Sequence, residues 1–224
     1  ISVLENNGTK IWDCPIYGYP TDAAVEDVNL DGIKEIIVGA MEYYPIQNYY
    51  HCVTFLNDVL WRIQPNESGM YSPPTVGYVG NDIFGIFVWP PNYEPTCLNG
   101  SNGETLWTAN VSIWDPLLCD INGDGVTEVI DVGYSIEELN GYRRETPIVS
   151  CLDIRDGRVL WRSTLMTYTV PKFYEGGILS FVAGDIDGDS RLEVVMGAHF
   201  GLVCLDEDGS ILWLYNISRS IYPI

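Results

Sequence analysis

The 224-residue chain is 46% hydrophobic, with 15 tyrosines and 22 glycines and no long charge-rich run, which excludes wholesale disorder. Its net charge of −20, from 31 acidic against 11 basic residues, excludes a nucleic-acid partner, because phosphate backbones are bound by clustered positive charge. No apolar run reaches the length of a membrane span.

Taken in chain order, the first element is a hairpin, VLENNGTKIW at 3–12, with an Asn7-Gly8 turn and a closing Trp. The same ending returns at 52–61 (CVTFLNDVLW), 97–107 (CLNGSNGETLW), 151–161 (CLDIRDGRVLW) and 204–213 (CLDEDGSILW). The tryptophans at 12, 61, 107, 161 and 213 are 49, 46, 54 and 52 residues apart, the length of a four-stranded propeller blade. Asn102-Gly103, Asp156-Gly157 and Asp208-Gly209 supply the other turns, and Asn57-Asp58 is a weaker substitute.

A second element precedes three of these hairpins: DVNLDGIKEIIVGA at 27–40, DINGDGVTEVIDVGY at 120–134 and DIDGDSRLEVVMGAH at 185–199. The order within each repeat is strand, acidic loop, strand, Trp hairpin. The predicted fold is therefore an all-β propeller of four-stranded antiparallel blades. Residues 1–13 form a half blade, and whole blades run over 21–64, 73–110, 115–164 and 177–218. The blade at 73–110 keeps its strands but retains only Asn81 and Asp82 of the loop. The arc is expected to be completed by chain beyond Ile224.

Alternate positions of each acidic loop place oxygens around one centre, which suits a hard cation taking 6–8 oxygen ligands. The candidate donors are Asp27, Asn29, Asp31 and Glu35 with the carbonyl of Ile33; Asp120, Asn122, Asp124 and Glu128 with that of Val126; and Asp185, Asp187, Asp189 and Glu193 with that of Arg191. Gly32 and Gly125 permit the sharp turn at position 6, where the third loop has Ser190. An EF-hand is excluded, because its last acid falls at position 12 and helices flank it. About three Ca²⁺ ions are expected, none of them at 79–84.

This loop-plus-strand pattern resembles the FG-GAP/VCBS repeats of integrin α-subunit propellers and microbial surface proteins. The Trp hairpins are similar to PQQ-type propeller repeats. The resemblance implies structural Ca²⁺ on the fifteen donors just named, and a role as a non-catalytic adhesion or structural module. Partners would be a protein or carbohydrate surface ligand, or further copies of the chain in a surface assembly.

Sequons at Asn7, Asn66, Asn99, Asn110 and Asn216 predict an N-glycosylated, extracellular or cell-surface protein. The cysteines nevertheless read as unpaired. Cys52, Cys97, Cys151 and Cys204 share one strand position, which Val3 fills in the first hairpin, so they pack as small hydrophobes. Cys14 and Cys119 have no repeat equivalents.

No nucleophile, zinc or phosphate-loop motif is present, and His51 and His199 read as polar residues at strand ends. By resemblance two enzyme alternatives stand: a polysaccharide lyase, which needs a base and a cation, and a quinoprotein dehydrogenase, which needs a cofactor funnel. Arg143-Arg144 is the only basic pair. Residues 41–50 and 134–147 read as loop insertions between second and third strands, with Tyr43, Tyr44, Tyr49 and Tyr50 suited to ligand contact.

Overall fold

The computed structural model describes residues 2–13, 16, 19–43, 46–56, 58–64, 74–88, 95–109, 116–171, 178–198 and 201–216. Cys14, Tyr44, Asn66, Asn110 and His199 lie outside them, as do the side chains of Tyr43 and Asn216. All regular structure among the described residues is strand. The chain divides into two compact units, Ile1–Val111 with Ile154–Gly157, and Ser112–Asp153 with Arg158–Ile224.

In the first unit, β1 (Ser2–Leu4) and β2 (Lys10–Asp13) form a two-stranded hairpin. A four-stranded meander follows: β3 (Tyr19–Glu26), β4 (Glu35–Tyr43), β5 (Ile46–Val53) and β6 (Val59–Ile63). The next comprises β7 (Thr75–Gly80), β8 (Ile83–Val88), β9 (Thr96–Asn99) and β10 (Thr105–Thr108). Ile37, Tyr50, Cys52 and Trp61 of one sheet pack with Ile86, Val88 and Leu98 of the other, face against face.

The second unit repeats the plan with β11 (Leu117–Cys119), β12 (Glu128–Leu139), β13 (Tyr142–Asp153) and β14 (Val159–Thr164), then β16 (Ile178–Gly184), β17 (Glu193–Ala198), β18 (Gly201–Leu205) and β19 (Ile211–Asn216). Its core joins Ile130, Val149 and Cys151 to Val194, Met196, Val203 and Leu205. Four-stranded antiparallel meanders packed face to face are β-propeller blades.

The Trp hairpins share one register. Val3 pairs Trp12, Cys52 pairs Trp61, Cys97 pairs Trp107, Cys151 pairs Trp161 and Cys204 pairs Trp213. A register shift lies next to this pair in every case. The position opposite an indole takes a small apolar side chain, which is why Val and Cys interchange there. Cys52, Cys97, Cys151 and Cys204 are free and fully buried, and Cys119 is free and partly buried. Burial pushes the Cys52, Cys97 and Cys119 thiols up to about 12.

Three of the five indoles serve as docks. Trp61 Nε1 donates to Gly100 O at 2.7 Å, Trp107 Nε1 to Ile154 O at 2.6 Å and Trp161 Nε1 to Glu207 O at 2.7 Å. The acceptors lie in the turns of the hairpins that follow. Gly157 shows the closeness of fit: at φ +72°, a Cβ there would stand 2.5 Å from Trp107. Trp213 is 40% exposed, and the buried Trp12 Nε1 has no partner.

The two insertions are not loops. β4 and β5 pair from Ile36↔Val53 out to Tyr43↔Ile46. β12 and β13 pair from Glu128↔Asp153 to Leu139↔Tyr142, turning at Asn140-Gly141 with Gly141 at φ +79°. The Asn-Gly turn and cross-strand pairs such as Glu137–Arg144 (2.7 Å) extend the ladder. β15 (Tyr168–Pro171) adds to the outer half of β13. His51 is likewise no strand-end residue: it sits within β5, 5% exposed, and burial lowers it to about 4, with Arg62 adding to the effect.

Candidate metal centres in the acidic loops

The three acidic loops fold alike, because each first Asp gathers backbone N–H groups that the sharp turn would otherwise leave unpaired. Asp27 accepts from Asp31 N (3.1 Å) and Gly32 N (2.9 Å), and Asp120 from Asp124 N (3.0 Å) and Gly125 N (2.8 Å). Asp185 accepts from Gly188 N (2.6 Å) and Ser190 N (3.2 Å). The fifth-position acids Asp31, Asp124 and Asp189 each accept from the residue two ahead, Ile33, Val126 and Arg191, at 2.8 Å.

Position 6 is left-handed in all three loops: Gly32 (φ +87°), Gly125 (+85°) and Ser190 (+75°). Ser190 therefore holds the turn that glycine holds elsewhere, at a cost of roughly 1–2 kcal/mol. Position 4 is left-handed as well, at Leu30, Gly123 and Gly188.

The ninth-position glutamates are the buried acids of the loops. Glu35, Glu128 and Glu193 open the strands β4, β12 and β17 and are buried. Each accepts one hydrogen bond from the second residue of its loop: Val28 N at 3.2 Å, Ile121 N at 3.0 Å and Ile186 N at 2.6 Å. The other oxygens of Glu35 and Glu193 are buried without a partner. An unpartnered buried carboxylate oxygen is costly. Burial raises the Glu35 carboxyl above the usual range, opposed by the Val28 N–H and helped by Asp31 and Asp27. Burial likewise lifts Glu128 to about 7, with Asp124 and Asp120 adding to it against the Ile121 N–H.

Oxygens of Asp185, Asp187 and Glu193 lie within 4.8 Å of one another. Two ligands held 2.3–2.6 Å from one ion can be at most about 5 Å apart, so this set fits a hard cation such as Ca²⁺. The other loops have Asn29 and Asn122 where the third has Asp187. Asn29 Nδ2 donates to Asp31 (3.1 Å) and Asn122 Nδ2 to Glu128 Oε1 (3.2 Å), so amide N–H groups there occupy carboxylate oxygens. Position 2, Val28, Ile121 or Ile186, supplies the N–H that each buried glutamate accepts, and its signal in the sequence is a recurring aliphatic side chain.

At the position of the missing fourth loop, β7 turns directly into β8. Asn81 and Asp82 are both left-handed, at φ +52° and +58°, as a two-residue type I′ hairpin requires.

Elsewhere, Arg144 pairs with Glu137 and Arg143 with the buried Glu145. Asn7 is exposed in its turn, with Oδ1 accepting from Thr9 N at 2.8 Å. Asn99 Oδ1 accepts from both Ser101 N (2.9 Å) and Ser101 Oγ (2.8 Å). Among the described residues no helix is long and apolar enough to cross a membrane.

Searches of family models and of curated proteins find no match. Among solved structures, the chain is similar to BamB from Moraxella catarrhalis, with TM-score 0.49 and 16% identity over 92% of this chain and 64% of that one. It is also similar to the rhamnogalacturonan lyase YesW, with TM-score 0.49 and 18% identity over 95% of this chain and 44% of that one. The chain thus spans less than two-thirds of the length of either.

Proposed function

We propose that the chain is a non-catalytic, Ca²⁺-stabilised β-propeller module of an extracellular or cell-surface protein, serving adhesion or surface assembly. The observation that carries this reading is the buried Glu193 carboxylate. One of its oxygens is unpartnered, yet the residue lies with Asp185 and Asp187 within a single ion's reach. A divalent cation would satisfy that oxygen and offset the repulsion among the acids, and the same loop fold recurs at 27–35 and 120–128. The ions are read as structural, and the resemblance to FG-GAP repeats points the same way.

The adhesion role draws on the repeat resemblance and the sequons, of which the exposed Asn7 is the best placed. Engagement of Arg143 and Arg144 by Glu145 and Glu137 speaks against their serving as the cation of a lyase.

The test is scanning calorimetry of the chain with millimolar CaCl2 and with a chelator. A Tm that falls on chelation and recovers on re-addition of Ca²⁺, but not of Na⁺, supports the reading. An unchanged Tm removes it. Adhesion is tested separately, by Ca²⁺-dependent binding of the chain to glycan and matrix-protein arrays.

A further inference from the structure

Two of the acidic loops touch. Leu192 N, at position 8 of the third loop, donates to Ile121 O, at position 2 of the second, at 3.0 Å. A Cβ placed on Gly123, at position 4 of the second loop, would stand 3.7 Å from Ser190 O in the third. Ile121 is buried in the core that Leu192 packs against.

The shared bond lies between the two ninth-position glutamates. Ile121 N donates to Glu128, Ile121 O accepts from Leu192, and the next residue is Glu193, which accepts from Ile186 N. Seating Glu128 on an ion fixes Ile121, and through it Leu192 and Glu193.

We propose that the loops at 120–128 and 185–193 form a coupled pair, in which an ion bound in one raises the affinity of the other. The proposal rests on the Ca²⁺ reading above. Its cause is loop ordering: the first ion immobilises the shared peptide, so the second ion orders less chain. Surface charge opposes this, because a filled neighbour attracts a second cation less than an acidic one without an ion. Each loop stays acidic with its ion in place, because three carboxylates in the second and four in the third exceed one ion's two charges, so the opposing effect is reduced. The ordering passed through the bond to the buried Ile121 is the larger effect in this proposal.

The test is a CaCl2 titration of ¹⁵N-labelled, chelator-treated protein. The amides of Gly125 and Ser190 each donate to the first Asp of their own loop and report the two loops separately. Asp189→Ala disables the third loop and Asp124→Ala the second; both residues are exposed. In Asp189→Ala the Gly125 midpoint is expected to rise about fivefold or more, and in Asp124→Ala the Ser190 midpoint by the same factor, as linkage demands. In the wild-type protein both reporters should move together, more steeply than a single site. Midpoints unchanged in the variants, or shifted to lower Ca²⁺, overturn the coupling while leaving the ion reading intact. Wild-type reporters that ignore Ca²⁺ overturn both.

Discussion

The sheet β7–β10 joins its first two strands through Asn81 and Asp82 alone, whereas the other three blades use nine-residue acidic loops at the same place. Both solutions leave the sheet with four paired strands, and Trp107 of the first kind and Trp61 and Trp161 of the second dock alike on a turn carbonyl. A short connection therefore suffices to build a blade. The acidic loops add something the strand pairing does not require: three buried glutamates, two of which leave a carboxylate oxygen without a partner. Blade construction belongs to the indoles and strand registers, and the proposed ion dependence belongs to the loops.

The largest expected effect tests that separation. Trp107 closes the blade without an acidic loop and Trp161 one that has such a loop, and both donate to a turn carbonyl. Either Trp→Ala change should cost about 3–5 kcal/mol in chemical denaturation, alike with and without Ca²⁺. A cost that vanished on chelation would merge the two halves of the comparison. Gly157→Ala should also be destabilising, because its Cβ would meet Trp107 at 2.5 Å, and more so than Gly8→Ala, whose Cβ would meet nothing within 4 Å.

His51 gives a pH effect on the strand side. Its folded value is lowered to about 4, so the folded protein resists a proton that the unfolded chain accepts near 6.5. Stability is complete above that unfolded value and is lost as pH falls towards 4, by up to about 3 kcal/mol. His51→Gln should flatten this limb of a stability–pH profile measured in chelator.

Each loop, at a Ca²⁺ concentration a hundredfold above its dissociation constant, should add about 2.7 kcal/mol. Glu193→Gln should remove one such increment, whereas Asp82→Asn, in the two-residue hairpin, should remove none; calcium-dependent Tm shifts report both. The smallest effect is a gain. Ser190→Gly relieves a left-handed serine at φ +75° and should stabilise the chain by about 1 kcal/mol without altering the ligand set.

Much of this was legible in the residues. Trp spacing and turn glycines marked the hairpins, and the cysteine shared with Val3 marked the position opposite each indole. Acid spacing marked the loops, where the first Asp of each gathers the N–H groups of its turn. Residues 134–147 were misread because Asn140-Gly141 lies at the far end of a twelve-residue ladder, where local composition resembles a loop. His51 was misread because burial depends on the neighbouring sheet. The bond from Leu192 to Ile121 joins two backbones, and no side-chain pattern encodes it.

The central claim is that the three acidic loops, and not the Asn81–Asp82 hairpin, bind structural calcium. Equilibrium dialysis of the purified chain against ⁴⁵Ca²⁺ measures it directly. Three ions per chain in the wild type, two after Glu193→Gln and three after Asp82→Asn are the predicted result. A wild-type chain that retains no calcium at millimolar concentration, or a count lowered by Asp82→Asn, would contradict it.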